Sequence, residues 1–309
     1  MNKLTVLPSP QIRSYVSTQK IMLCVCLALL PTVIAAAILH GARALLVVLC
    51  CVISAVMFEY IFSLVTKKEN TISDLSAAVT GLLLALNLPV TIPLWICSLG
   101  SFIAVVIVKQ FFGGLGKNFA NPAMTARIVL MLSFAQYMSQ DAFIFDGVSQ
   151  ATPLSAPQGS FETAELFLGQ TAGCIGETCT LTLLIGAATL IALRIISPVL
   201  PVAFIGTFAI CIAISGNDVV YHLLSGGLVL GAFFMATDYV TSPVTAKGKL
   251  IAGVFCGFIT FIIRIYANSP EGVSYAILLM NILTPYIDDF THTKPFGAIR
   301  KERKGEADA

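Results

Sequence analysis

The segment Asp146-Gly147-Val148-Ser149-Gln150-Ala151-Thr152 carries a threonine hydroxyl into the one long connection between apolar runs, residues 139–178. That connection holds five acidic residues and no Lys or Arg. Pro153 restricts Thr152 to extended or turn backbone, so its hydroxyl is expected to be exposed. An Asp-Gly turn followed by an ordinary Thr-Pro loop is the plainer reading, and spacing alone does not separate the two.

Two further clusters carry polar chemistry. Gly113-Gly114-Leu115-Gly116-Lys117 is followed by Asn118 and by Asn121-Pro122. A phosphate loop needs Gly-x-x-x-x-Gly-Lys-Ser/Thr; here Phe111 takes the first glycine position and Asn118 the hydroxyl position, which excludes nucleotide hydrolysis. The glycines let backbone approach a flat ring or another helix, and Lys117, Asn118 and Asn121 offer hydrogen bonds to a ligand or partner. A compact turn with Asn121-Pro122 opening a helix is the alternative. The second cluster, Thr237-Asp238-Tyr239-Val240-Thr241-Ser242-Pro243, sets a carboxylate among hydroxyls at the end of an apolar run. Such oxygens suit a hard cation, or the Asp simply caps backbone amides. No complete cation site can be assembled from these residues.

Of the other ionisable groups, Asp74 and Glu177 stand at helix starts, where capping is expected. Glu59 falls near the middle of an apolar run and needs a buried partner, with Arg127 or Arg194 as the candidates. His40, His222 and His292 are far apart, and no metal or haem site is expected. Nine cysteines form no Cys-x-x-Cys and lie mostly within apolar runs, where a thiol behaves as a small hydrophobe. A Cys174–Cys179 disulfide is open but undirected by sequence.

The elements that must position these groups follow from composition. The 309 residues are 57% hydrophobic and 11% charged, with a mean hydropathy of +0.90, whereas a soluble domain carries roughly 25% charged residues. The fold class expected is an all-α integral membrane protein of about ten transmembrane helices, near residues 21–39, 43–65, 74–88, 93–112, 122–139, 179–196, 199–215, 222–237, 248–266 and 273–288. Ten spans leave both termini on one side. Sixteen of the eighteen Lys and Arg then fall on that side, with Arg43 and Arg264 opposite. Both termini are therefore expected in the cytoplasm and the Thr152 loop outside. The chain divides into a cytoplasmic N-terminal segment (1–20), a first set of five helices (21–138), the external loop (139–178), a second set of five (179–288) and a basic cytoplasmic tail (289–309), an anchor near anionic lipid. A net charge of +2 gives no reason to expect nucleic acid.

A weak internal repeat supports this division. At an offset of 150, Gly81 meets Gly231, Val90 meets Val240, Thr91 meets Thr241 and Pro93 meets Pro243. Asn121-Pro122 falls near Ser269-Pro270 at an offset of 148. Five helices per half reverse the chain, so the halves must be inverted, an architecture whose sites lie where short or broken helices meet. The third and eighth runs are short and followed by prolines or polar residues, so broken helices compete there with simple helix ends.

Taken together, these residues resemble the D-subunit family of the Rnf complex, a membrane-bound ferredoxin:NAD oxidoreductase, whose relative is the B subunit of the sodium-pumping NADH:quinone oxidoreductase. The resemblance covers nearly the whole chain. It rests on Asp146–Thr152 with Pro153-Leu154, on Gly114–Pro122, on Ala236–Pro243 and on Ser73–Leu86. The quinone-reductase member carries a longer N-terminal extension, whereas the first apolar run here begins by residue 21, which favours the Rnf member. The pattern Asp-x-x-Ser-x-Ala-Thr resembles the site where a flavin transferase joins FMN to threonine. It implies covalent FMN on Thr152 through its phosphate, with Asp146, Ser149 and Ala151 as motif residues. Gln150 is larger than the small residue expected there.

The resemblance also implies a noncovalent riboflavin among the spans, placed near Asn87, Asn118, Asn121, Thr237 and Asp238. It implies a bacterial inner-membrane complex with a flavin-bearing G subunit, the A and E subunits in the membrane and a soluble C subunit, and maturation by a flavin transferase. The chain is then one part of a redox-driven translocase, incomplete alone, that relays electrons coupled to Na+ or H+ transport; Thr152 is an attachment point, and no residue is expected to be catalytic. From architecture alone, a small-solute channel with a five-plus-five inverted repeat, or a structural anchor for partner enzymes, fits equally well.

Overall fold

The computed structural model describes residues 16–67, 71–138, 144–145, 148–149, 152–154, 156, 160–177, 179–267 and 272–292. Helices dominate: α1 (Thr18–His40), α2 (Ala42–Thr66), α3 (Ser76–Leu86), α4 (Leu94–Phe102), α5 (Pro122–Ser133), α6 (Ala135–Met138), α7 (Thr163–Leu168), α8 (Thr180–Ala192), α9 (Val199–Ile214), α10 (Val219–Leu224), α11 (Leu228–Leu230), α12 (Ala246–Tyr266) and α13 (Gly272–Thr291). A two-residue antiparallel ladder, β1 (Ile144–Phe145) with β2 (Val148–Ser149), lies between α6 and α7. Each of the ten apolar runs contains helix. Among the described residues three helices, α1, α2 and α12, are long and apolar enough to cross a membrane by length and composition.

Local chemistry explains the starts. Ser17 caps α1 by accepting from Lys20 N, Asn121 caps α5 from Ala123 N and Met124 N with Pro122 at the first helical position, and Thr245 caps α12 from Gly248 N. Each cap satisfies an orphan amide of the first turn. Between apolar helices in lipid, small residues decide how closely backbones approach. α12 turns Gly253 and Gly257 to α9, where an added Cβ would meet Leu200 O at 2.6 Å and Phe204 O at 2.5 Å. On α3, an added Cβ at Gly81 would meet Cys51 O of α2 at 2.7 Å.

Several elements depart from the simple reading. α4 continues as a π-helix over Ile103–Gln110, and α11 continues as a π turn over Gly231–Met235. The eighth run is broken rather than continuous: α10 stops at Leu224, the chain turns through Gly226 at φ 69°, and helix resumes at Leu228. The third run ends at Leu86, and the connection before α8 folds back to meet it. Gly176 N donates to Leu86 O (2.7 Å) and Ile175 N to Leu88 O (3.0 Å), satisfying carbonyls that the short helix leaves open.

Candidate functional site

A cleft joins the two polar clusters; its empty space is about 780 Å³ with the open solvent at its mouth included. The start of α1 (Ile21, Met22), the first half of α3 (Ser76, Val79, Thr80), the end of α8 (Leu190), Phe233, Phe234 and Thr237–Tyr239 form its walls, with Asn118, Asn121 and Lys109 at its polar side. Gly113, Gly114 and Gly116 all take positive φ. These turns bring Asn118 back against the cleft, a path that residues with a Cβ adopt only under strain. Lys117 does not line the cleft; it is exposed, and its aliphatic stem lies across Gly113.

Four of the five residues placed near a noncovalent site converge here: Asn118, Asn121, Thr237 and Asp238. Their side chains are not equally available. Asn121 Oδ1 caps α5 and its Nδ2 donates to Met235 O at 3.2 Å. Thr237 donates to Phe233 O at 2.6 Å, and Asp238 accepts from Thr241 Oγ1 at 3.2 Å and Val240 N at 3.5 Å. Asp238 thus caps its own turn. Asn118 Oδ1 is buried and has no hydrogen-bond partner among the described residues, so a bound N–H has an acceptor waiting. Apolar walls with a few convergent polar atoms suit a flat, largely neutral heterocycle. Asn87 lies elsewhere: its Nδ2 donates to Leu83 O and Met235 Sδ, and its Oδ1 accepts from Arg127.

Among the described residues two ion pairs are found, one reaching the cleft through Lys109 and the other away from it, and neither follows the expected pairing. Glu59, 0% exposed, is held by Lys109 Nζ at 2.8 Å rather than by Arg127 or Arg194. The same Oε1 accepts from Gln110 Nε2 (2.7 Å) and Thr71 Oγ1 (2.9 Å), and Lys109 also reaches Ser76 Oγ at 2.5 Å. The π turns of α4 set Lys109 and Gln110, adjacent in sequence, toward one carboxylate. Asp74 does cap, accepting from Ser76 N at 2.8 Å.

Arg127 forms the second pair, with Glu177 at 3.3 Å, and donates to Asn87 Oδ1 at 2.5 Å. Glu177 therefore does not cap a helix start; α8 begins three residues later, at Thr180. Lys109 and Arg127 are each 1% exposed, so neither belongs with the face-exposed cations among which the charge pattern counted them. The sequence signal for both networks was a charge inside or beside an apolar run, which must find a partner; which partner required the fold.

Thr152 is 8% exposed, which corrects the expected exposure. The two residues that follow it are seated against the broken segment. Tyr221 of α10, itself buried, donates its hydroxyl to Pro153 O at 2.7 Å. Leu154 lies over Gly226, where an added Cβ would meet Leu154 Cδ1 at 2.6 Å and Arg264 Nη2 at 3.1 Å. Asp146 and Ala151 lie outside the described residues, and Ser149 is described only as a position of β2. Thr152–Leu154 and the cleft thus meet opposite ends of the broken segment 219–239, separated by the helical turns of Leu228–Met235, a rise on the order of 10 Å. Cys174 and Cys179 are not joined by a disulfide.

The sequence matches the model of the NQR2, RnfD, RnfE family over residues 5–297. It is 49% identical to the D subunit of the Na(+)-translocating ferredoxin:NAD(+) oxidoreductase complex of Acetobacterium woodii, over 97% of this chain and 98% of that one. It is 42% identical to the D subunit of the proton-translocating ferredoxin:NAD(+) oxidoreductase complex of Clostridium ljungdahlii, over 97% and 98%. The D subunit of the ion-translocating oxidoreductase complex of Stutzerimonas stutzeri is 38% identical, over 91% and 92%.

Proposed function

The chain belongs to the NQR2, RnfD, RnfE family, and from that premise we propose that it is the D subunit of an ion-translocating ferredoxin:NAD oxidoreductase complex in a bacterial inner membrane. Its partners in that reading are the G, A, E and C subunits, with a flavin transferase for maturation. The observation that carries the reading is near-complete alignment with D subunits of such complexes at 38–49% identity. We infer further that Thr152 holds FMN through a phosphoester and that riboflavin occupies the cleft, with the helices arranged as two inverted sets of five, both termini cytoplasmic and the Thr152 loop external.

The flavins supply the electron-transfer chemistry when bound. The chain's own residues hold and separate them. Asn118 Oδ1 offers an acceptor to an imide N–H, Phe233 and Phe234 give apolar walls, and the start of α5 turns its positive dipole end toward the cleft. Thr152 supplies one ester oxygen. Tyr221 and Gly226 fix the backbone beside it. A buried electron favours cation uptake nearby, since charges interact strongly at low dielectric; that links electron relay to Na+ or H+ movement.

The test is in-gel fluorescence of the denatured full chain, co-expressed with an active flavin transferase, beside Thr152→Ala. Fluorescence in the parent and none in the variant is the expected result. A dark parent band overturns the covalent-flavin reading and leaves solute flux through the chain to be measured instead.

A further inference from the structure

Thr152 sits on a segment that is held down. Thr152 is 8% exposed, Pro153 is buried, and two contacts that hold the segment come from one short stretch, Tyr221 to Gly226. That stretch is itself braced from α12: Arg264 Nη1 donates to His222 O at 3.0 Å, and its guanidinium lies 5.2 Å from the centre of the Phe208 ring of α9. Gly226 is at φ 69° and has no Cβ to hold Leu154 away. The seat is therefore shaped to the segment, and it holds the segment through a hydrogen bond and an apolar side chain.

An enzyme that esterifies Thr152 must bring its own active site around the hydroxyl, and a side chain so covered does not admit that. We propose that Tyr221 and the Leu154 pocket over Gly226 act as positioning residues that close the Thr152–Leu154 segment, and that flavin is loaded onto the segment only when it is lifted off this seat. The loading step rests on the reading of Thr152 as the attachment point. In it the Thr152 oxygen attacks the riboflavin-proximal phosphorus of a flavin dinucleotide. One oxygen–phosphorus ester bond forms, the pyrophosphate bond breaks, a nucleoside monophosphate leaves, and the hydroxyl proton passes to a base of the transferase. Once reseated, the segment fixes the carried group against the protein body. Local opening of this kind costs far less than global unfolding.

The seat is tested without flavin by placing Thr152→Cys in the full-length chain in detergent and following its reaction with a membrane-impermeant maleimide by mass spectrometry. Tyr221→Phe and Leu154→Ala are added in turn. Labelling at position 152 should be slow in the parent and rise about fivefold with Tyr221→Phe, the factor one buried neutral hydrogen bond commands. It should also rise several-fold with Leu154→Ala, which leaves the body untouched. Buried Cys174 should stay unlabelled throughout. In parallel, flavin-transferase loading of folded, flavin-free chain carrying the native Thr152 should accelerate by matching factors. Equal labelling in the parent and both variants overturns the seat. So does labelling of Cys174 in step with position 152, which marks general loosening. Faster labelling with no covalent flavin on any chain leaves the seat standing and refutes the attachment reading on which loading depends.

Discussion

Replacing Lys109 with methionine isolates a carboxylate in the core. In the native chain Glu59 Oε1 accepts from Lys109, Gln110 and Thr71, and its Oε2 has no partner among the described residues. Lys109→Met removes the one cation and leaves two neutral donors on a side chain that is 0% exposed. Breaking a buried pair from one side costs about 3–5 kcal/mol, because the surviving charge keeps its desolvation penalty without its partner. Glu59→Gln alone strands Lys109 against Ser76, a penalty of the same order, about 3 kcal/mol. The double variant Glu59→Gln/Lys109→Met removes both charges, and the glutamine oxygen still accepts from Gln110 and Thr71. It should lie within about 1–2 kcal/mol of the parent. The assay is equilibrium unfolding of the full-length chain in mixed micelles, read by Tyr and Trp fluorescence and closed as a double-mutant cycle. A Lys109→Met chain within about 1 kcal/mol of the parent, or a double variant as unstable as the sum of the singles, would refute the reasoning that this charge is stable only as a pair.

The second pair gives a parallel expectation: Arg127→Leu should cost about 3–5 kcal/mol, and adding Glu177→Leu should recover most of it. Thermal unfolding in detergent checks this, and no recovery in the double variant counts against the pairing. Gly257→Val should cost at least about 1–3 kcal/mol by overpacking α12 on α9, whereas Gly206→Ala, with open space around it, should be neutral or slightly stabilising; equal melting temperatures for the two would show that the close approach is not needed. Asn118→Leu should lower the affinity of riboflavin for the chain about fivefold, the value of one buried hydrogen bond, while leaving covalent fluorescence at Thr152 unchanged; unaltered binding by equilibrium dialysis would remove Asn118 from the cleft site.

The sequence alone determined that the chain is helical and where its helices run. Long stretches without charge admit few alternatives to helix where water is absent, so every apolar run contains helix. It also singled out the Gly113–Pro122 and Thr237–Pro243 clusters, since glycines and short polar residues at helix ends are set by local backbone chemistry. The alignment of this chain with its relatives was legible in the same stretches. Tertiary structure decided the partners. Glu59 pairs with Lys109 because π turns rotate the end of α4 toward α2, a register shift that no pattern of residue types announces. Arg127 reaches Glu177 because the connection before α8 folds back to bond the end of α3. Thr152 is covered, not exposed, and the carbonyl of the next residue, Pro153, is held by Tyr221, sixty-eight residues along the chain. Local propensity acts within a few residues along the chain, whereas burial and charge pairing act between whichever groups the fold brings within hydrogen-bond reach.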